Sequence, residues 1–301
     1  MLQRLWKPWF VYRPTQLLRR AWAGWRSRRG GPLPLRTSWG AEIGADPRRT
    51  IGWSILTTGI YDLAVSEVLF RLVSPGDTVV DAGAHVGYMT VLMGVAAGPG
   101  GSVLSFEPHP ELFAILERNI AEVRSKFIAA AFSCHQAALG ERAGTAYLHL
   151  PPAFETNDGV ARIASETGPG CQSLAVRVTT LDEALGNATV RVLKLDVEGY
   201  EPQVLKGSVH ALTERRITHI VFEDHSVADS EVVRILNSTG YRLYSLGWSM
   251  RGLRIAPIAI GSLATCYEAP SFIATLDPDE VLTRCQQRGW RSLRCQIRRS
   301  G

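Results

Sequence analysis

One pattern limits the fold more than any other. From residue 78 to residue 260, short apolar runs alternate with segments of helical periodicity, and Gly, Pro or an acid marks most junctions. Strands are predicted at 78–82, 102–106, 132–139, 190–195, 217–222 and 241–246, and 255–260 can pair with the last of these. Helices are predicted at 63–72, 86–97, 110–123, 201–212 and 229–236. Two extended segments, 145–150 and 174–180, flank a polar, Gly-containing loop at 151–173. No internal repeat is visible. Alternating strands and helices on short turns imply an α/β domain: a parallel sheet covered by helices on both faces. Ligands of such sheets sit beyond the carboxyl ends of the strands. The residues that follow each strand are therefore the candidates for function.

After the strand at 78–82 come Asp81-Ala82-Gly83-Ala84-His85-Val86-Gly87-Tyr88. Two glycines let the chain turn tightly, and the helix that follows offers free N–H groups. His85 stands where a dinucleotide fingerprint needs its second glycine. An acid before the first glycine suits a ligand with an amino or sulfonium group better than a pyrophosphate. Glu107, in Phe106-Glu107-Pro108, ends the next strand in register and can accept both hydroxyls of a ribose. Together the two motifs predict a nucleoside-containing cofactor. At the end of the strand at 190–195, Lys194, Asp196, Glu198 and Glu201 gather on the same rim. Helix capping accounts for Glu198 or Glu201 but less well for Lys194 and Asp196. Phe222-Glu223-Asp224-His225 ends another strand, and His225 is a candidate general base or a solvent-facing loop residue.

Asp-Ala-Gly-Ala-x-x-Gly-Tyr at 81–88, Phe-Glu-Pro, Asn119, Leu181-Asp182 and Lys-x-Asp-Val-Glu-Gly-x-Glu-x-x-Val-Leu-x-Gly at 194–207 resemble the FkbM-type methyltransferase family. The resemblance covers roughly residues 58–275. It implies a class I, Rossmann-like fold with a mostly parallel seven-stranded sheet, S-adenosylmethionine as cofactor, and O-methylation of sugars or natural-product hydroxyls. By position, Asp81, Gly83 and Gly87 would line the methionine part, and Ala84, His85 and Tyr88 of the same turn would also be cofactor-binding. Glu107 would hold the ribose, Ala138 within 137–140 would lie beside the adenine, and Asp196 and Glu198 would face the methyl group and acceptor. His85 replaces an asparagine common in the family. Asp196, Glu198 and His225 are the candidate bases. The carboxylates show no diagnostic metal-ligand spacing, so no metal is assigned, although a divalent ion would be one way to lower the acceptor's pKa. The loop at 151–173 is long enough for a lid.

Charge divides the chain. Residues 1–41 hold nine Arg or Lys and no acid, and residues 284–301 hold six Arg and no acid, leaving 18 basic against 28 acidic residues between them. An acidic middle argues against nucleic acid as the substrate of the core. The expected organisation is a basic, Trp-rich extension at 1–50, the catalytic domain at 51–280 and a basic tail at 281–301. Leu17, Leu18, Ala21, Trp22 and Trp25 have helical spacing beside arginines, which would allow peripheral membrane contact. The expected partner is a small-molecule or glycan acceptor. Five scattered cysteines fit free thiols in a reducing cytoplasm. Two competing readings are a catalytically silent protein of the same fold, acting as a membrane-associated or assembly partner, and an NAD-dependent oxidoreductase.

Overall fold

The computed structural model describes residues 7, 8, 31–155, 159, 161–164, 166, 172–224, 230–258 and 271–293. In chain order these form β1 (Leu33–Arg36), β2 (Glu42–Ala45), α1 (Thr50–Thr58), α2 (Leu63–Leu72), β3 (Thr78–Ala82), α3 (Tyr88–Ala97), β4 (Ser102–Phe106), α4 (Pro110–Lys126), β5 (Ala131–His135), β6 (Ala138–Leu139) and β7 (Gly144–Leu150). A 3₁₀ turn at Pro152–Glu155 precedes β8 (Arg162–Ala164), β9 (Gln172–Thr179), α5 (Leu181–Leu185), β10 (Val190–Leu195), α6 (Glu201–Lys206), α7 (Val209–Thr213) and β11 (Ile217–Glu223). The chain continues through α8 (Glu231–Ser238), β12 (Arg242–Ser249), β13 (Gly252–Pro257), β14 (Ser271–Thr275) and α9 (Pro278–Cys285).

The main sheet has the order β13-β12-β14-β11-β10-β3-β4-β5. Strands β11, β10, β3, β4 and β5 are parallel. Strand β14 runs against both β11 and β12, so β12 shares the direction of the parallel set. Seven strands from β5 to β12 make the expected mostly parallel sheet, and β13 adds an eighth at the edge by pairing antiparallel with β12. Side chains alternate between faces. Val79, Val103, Val192, Val221 and Ile273 join one core with α2, α3 and α4. Val80, Leu193, Ile220 and Phe222 join the other with α5 to α8. Each such side chain contributes about 1.5–3 kcal/mol on burial.

Two predicted elements divide. The strand expected at 132–139 leaves the sheet after His135, and β6 pairs instead with β9 in a second sheet of order β6-β9-β7-β8. The helix expected at 201–212 breaks at Gly207. A Cβ there would lie 1.9 Å from the Gly140 carbonyl oxygen, so the chain turns around that contact. Asp182 then accepts hydrogen bonds from the backbone N–H of His210 and Ala211 and caps α7. The helix expected from residue 86 starts at Tyr88, because Gly87 is its N-cap in the left-handed region.

The ends of the domain also depart from the sequence expectation. Residues 33–45, assigned to the extension, form the β1–β2 hairpin, and its Leu35, Trp39 and Ile43 are buried in the core. Asn119 of α4 accepts from Gly44 N and donates to the carbonyls of Gly44 and Val86, tying the hairpin to the turn before α3. At the other end Trp290 and Leu293 are buried. Glu67 and Arg71, an ion pair 2.6 Å apart in α2, are both buried. Glu67 also accepts from Arg291 N, Ser292 N and Ser292 Oγ, while Arg71 donates to the carbonyls of Arg284 and Gly289. This latch fixes the segment after α9 onto α2. The amphipathic stretch at 17–25, the residues after 293, His225, Cys171, Cys266, Cys295 and parts of the 151–173 loop lie outside the described residues. Cys134 and Cys285 are free thiols. Among the described residues no helix is long and apolar enough to cross a membrane.

Candidate active site

A cavity of about 310 Å³ opens at the carboxyl ends of β3, β4, β10 and β11. One half is centred on Glu107. Gly83 and Ala84 donate their N–H groups to the Phe106 carbonyl, which fixes the turn leaving β3 against the end of β4. At Gly83 (φ +79°) a Cβ would meet the Asp196 carbonyl oxygen at 1.9 Å, so only glycine fits. His85 follows at φ 52°. Non-glycine residues rarely adopt this conformation, but Asn and His are among those that do so most readily. That explains why histidine can replace the family's asparagine. The bend aims His85 N at Glu107 Oε2 (2.8 Å), and His109 N donates to Oε1 (2.8 Å). Glu107 is thus pinned by two backbone groups while each oxygen keeps a further lone pair for a ligand hydroxyl. Burial pushes its carboxyl above the usual range, against the nearby His85 and the two N–H groups. Phe106, Leu112, Ala137, Ala138 and Leu139 give an apolar wall beside it, and Tyr88 and Met89 bring the start of α3 to the cavity.

The other half is acidic. Lys194, a buried residue (7% exposed), donates from Nζ to the Gly83 carbonyl (3.0 Å) and pairs with Asp196 (3.1 Å) and Asp81 (3.6 Å). Burial opposes its charge, but Asp196 and Asp81 more than offset this and hold the ammonium above its ordinary value. Asp81, expected to touch the cofactor, stands one layer behind the cavity. It is fully buried and accepts from Thr90 Oγ1 (2.5 Å), and burial pushes its carboxyl up. Gly87 likewise shapes the helix start without lining the cavity. Glu201 holds the loop before α6 by accepting from Val197 N and Gly199 N, so it is the capping acid. Glu198 is not. It sits at φ 55° with its side chain at the cavity, pushed up to about 7 by burial and then by the charges of Asp196 and Glu201.

Two residues without an assigned role complete this half. Glu223 ends β11 beside Asp196 and is pushed up to about 8, first by burial and then by Asp196. It obeys the same strand-end rule as Glu107 and was legible by that rule. Tyr61 precedes the α2 N-cap, Asp62, and its hydroxyl is held well above its ordinary value by burial and by the charges of Asp196, Asp62, Glu223 and Glu198. Tyr61 packs edge-on against Tyr88 at 6.0 Å, and Trp39 of the hairpin braces Tyr88 from behind with an indole N–H bond of 3.1 Å. No local pattern in the sequence marks Tyr61. Above the cavity, Phe154 from the 151–173 loop is buried between the His109 ring (4.9 Å) and Arg49 (5.6 Å), and Gly159, Ala161 and Ile163 line the roof. Among the described residues no group of three or more His, Cys, Asp or Glu is placed to hold a metal ion.

This pocket therefore joins a pinned carboxylate and an apolar slot to a cluster of acids, a combination that fits S-adenosylmethionine with its ribose, its adenine and its cationic sulfonium and ammonium groups. Comparison with known proteins agrees. The chain matches the methyltransferase FkbM domain over residues 81–243. It is 30% identical to methyltransferase 1 of Beauveria bassiana over 44% of this chain and 59% of that protein, so it spans less than two thirds of that relative. It is 29% identical to the 31-O-demethyl-FK506 methyltransferase FkbM of Streptomyces tacrolimicus, over 56% of this chain and 73% of that protein. It is 24% identical to the hexuronic acid methyltransferase AglP of Haloferax volcanii, over 59% of this chain and 70% of that protein.

Proposed function

For a chain that belongs to the FkbM methyltransferase family and uses S-adenosylmethionine, we propose that the methyl group passes to a hydroxyl of a sugar, glycolipid or natural-product-like acceptor. One observation carries the reading. Glu198 and Glu223 face the cavity and have no hydrogen-bond or ion-pair partner among the described residues, so they are available to an acceptor hydroxyl. The names of the Streptomyces and Haloferax relatives, which specify 31-O-demethyl-FK506 and a hexuronic acid, support an oxygen-bearing acceptor.

S-adenosylmethionine supplies an activated methyl group on a good leaving group. The protein's part is to align and to move a proton. Glu107 would hold one end of the cofactor, and the acids at the ends of β10 and β11 would face the other. Glu198 is the general base of this account: it takes the hydroxyl proton as the oxygen is alkylated, and a carboxyl titrating near 7 is matched to that task. Asp196, the other strand-end candidate, is committed to Lys194 and acts by positioning. The test is a screen of hydroxylated glycans, glycolipids and metabolites with S-adenosylmethionine, read by mass for one added methyl group on oxygen. Transfer only to nitrogen or carbon acceptors would refute the proposal.

A further inference from the structure

The acceptor half of the cavity carries an unbalanced charge. Asp196, Glu198 and Glu223 line it, and Lys194 is the one Lys or Arg among the described residues that does so. That ammonium is not at the acceptor's disposal, because its three contacts go to Asp196, the Gly83 carbonyl and the buried Asp81. The Glu198 and Glu223 carboxyls are also crowded enough by burial and by Asp196 to titrate near 7 and 8, which is the behaviour of a pocket short of positive charge. A cofactor with a sulfonium and an ammonium group offsets part of this excess. A further anion would restore it. A polyol or an amine would instead supply the donors that two free carboxylates lack.

Resting on the proposed function, we infer that Glu198 and Glu223 select for an acceptor that is neutral or cationic around its reacting hydroxyl, and that they turn away acceptors carrying a carboxylate, sulfate or phosphate there. Like charges placed side by side in a binding site suppress the wrong partner more than they weaken the right one.

The experiment uses the full chain with S-adenosylmethionine and three matched sugars: a methyl hexoside, its amino counterpart and its uronic acid. Methyl transfer is followed by mass and by release of S-adenosylhomocysteine. At pH 9, where Glu198 and Glu223 are both ionised, the expected kcat/KM for the neutral or amino sugar is at least about tenfold that for the acid. At this pH, above the value of about 8 to which Glu223 is pushed, E223Q removes one charge without changing shape and should narrow the ratio. To reach acceptors beyond hexosides, a cell extract is separated on an anion exchanger and each fraction is incubated with methyl-labelled cofactor. Label on products with no anionic group beside the methylated oxygen agrees with the inference, and label confined to retained products whose anionic group adjoins that oxygen overturns it. A uronic acid methylated as fast as the neutral sugar, or a ratio that E223Q leaves unchanged, also overturns it. Calorimetry with S-adenosylmethionine separates the two levels. A chain that binds the cofactor and prefers acids keeps its function and loses this inference, whereas a chain that binds no cofactor loses both.

Discussion

The pH dependence of turnover gives the sharpest test of the proposed base. Glu198 is moved from an ordinary carboxyl value of 4.5 to about 7, by burial first and by the neighbouring Asp196 and Glu201 after it. A base must be ionised to work. At pH 6 about a tenth of Glu198 is ionised and at pH 8 about nine-tenths, so kcat/KM should rise about tenfold across that interval. An unperturbed glutamate would already be ionised at pH 6 and would give a flat profile. Glu198→Gln keeps the size of the side chain and removes the base, and should lower kcat/KM by roughly a hundredfold to ten-thousandfold and abolish the slope. Asp196→Asn removes the strongest charge acting on Glu198 and should move the midpoint to lower pH. The assay is S-adenosylhomocysteine release at saturating cofactor over this pH range. A flat wild-type profile, or a Glu198→Gln enzyme that keeps the wild-type slope, refutes the assignment.

Other expectations concern the frame around the site. Gly83→Ala forces a Cβ to 1.9 Å from the Asp196 carbonyl at a positive φ, and should lower stability by about 1–3 kcal/mol or more in thermal denaturation. Glu67→Ala strands Arg71 and releases the Arg291–Ser292 backbone, which should cost about 3–5 kcal/mol in urea unfolding; an unchanged midpoint would show that the latch carries no stability. The folded protein holds a proton on Glu223 up to about pH 8, whereas the unfolded chain releases it near 4.5. Stability should therefore fall as pH rises from about 5 through 8, and Glu223→Gln should flatten that fall in melting curves.

Much of this was legible in residues taken one strand at a time. The runs at Thr78–Ala82, Ser102–Phe106 and Val190–Leu195 each hold adjacent apolar residues (Val79-Val80, Val103-Leu104, Val192-Leu193) that a strand buried on both faces needs, and the structure places them side by side. The acids that end them mark the ligand edge because charges there cannot serve the core. What the pattern does not carry is long-range packing. Gly207 breaks a helix because of Gly140, 67 positions earlier. Residues 33–45 join the core because Trp39 reaches Tyr88 and Asn119 reaches Gly44. Asp81 has the composition of a ligand contact, yet burial places it behind Lys194 as a counter-charge. Tyr61 enters the cavity only because α2 docks against the ends of β10 and β11. Local periodicity has no term for any of these contacts.

We propose that S-adenosylmethionine binds in the cavity with its ribose on Glu107. Calorimetric titration of the full chain with S-adenosylmethionine tests it directly, comparing wild type with Glu107→Ala. Glu107 would accept charged hydrogen bonds from two hydroxyls, each worth about 1.5–3 kcal/mol, so the variant should bind at least about a hundredfold more weakly. Saturable binding in the wild type with that loss in the variant is the expected result. No binding by the wild type, or equal Kd values for the two proteins, would contradict the account.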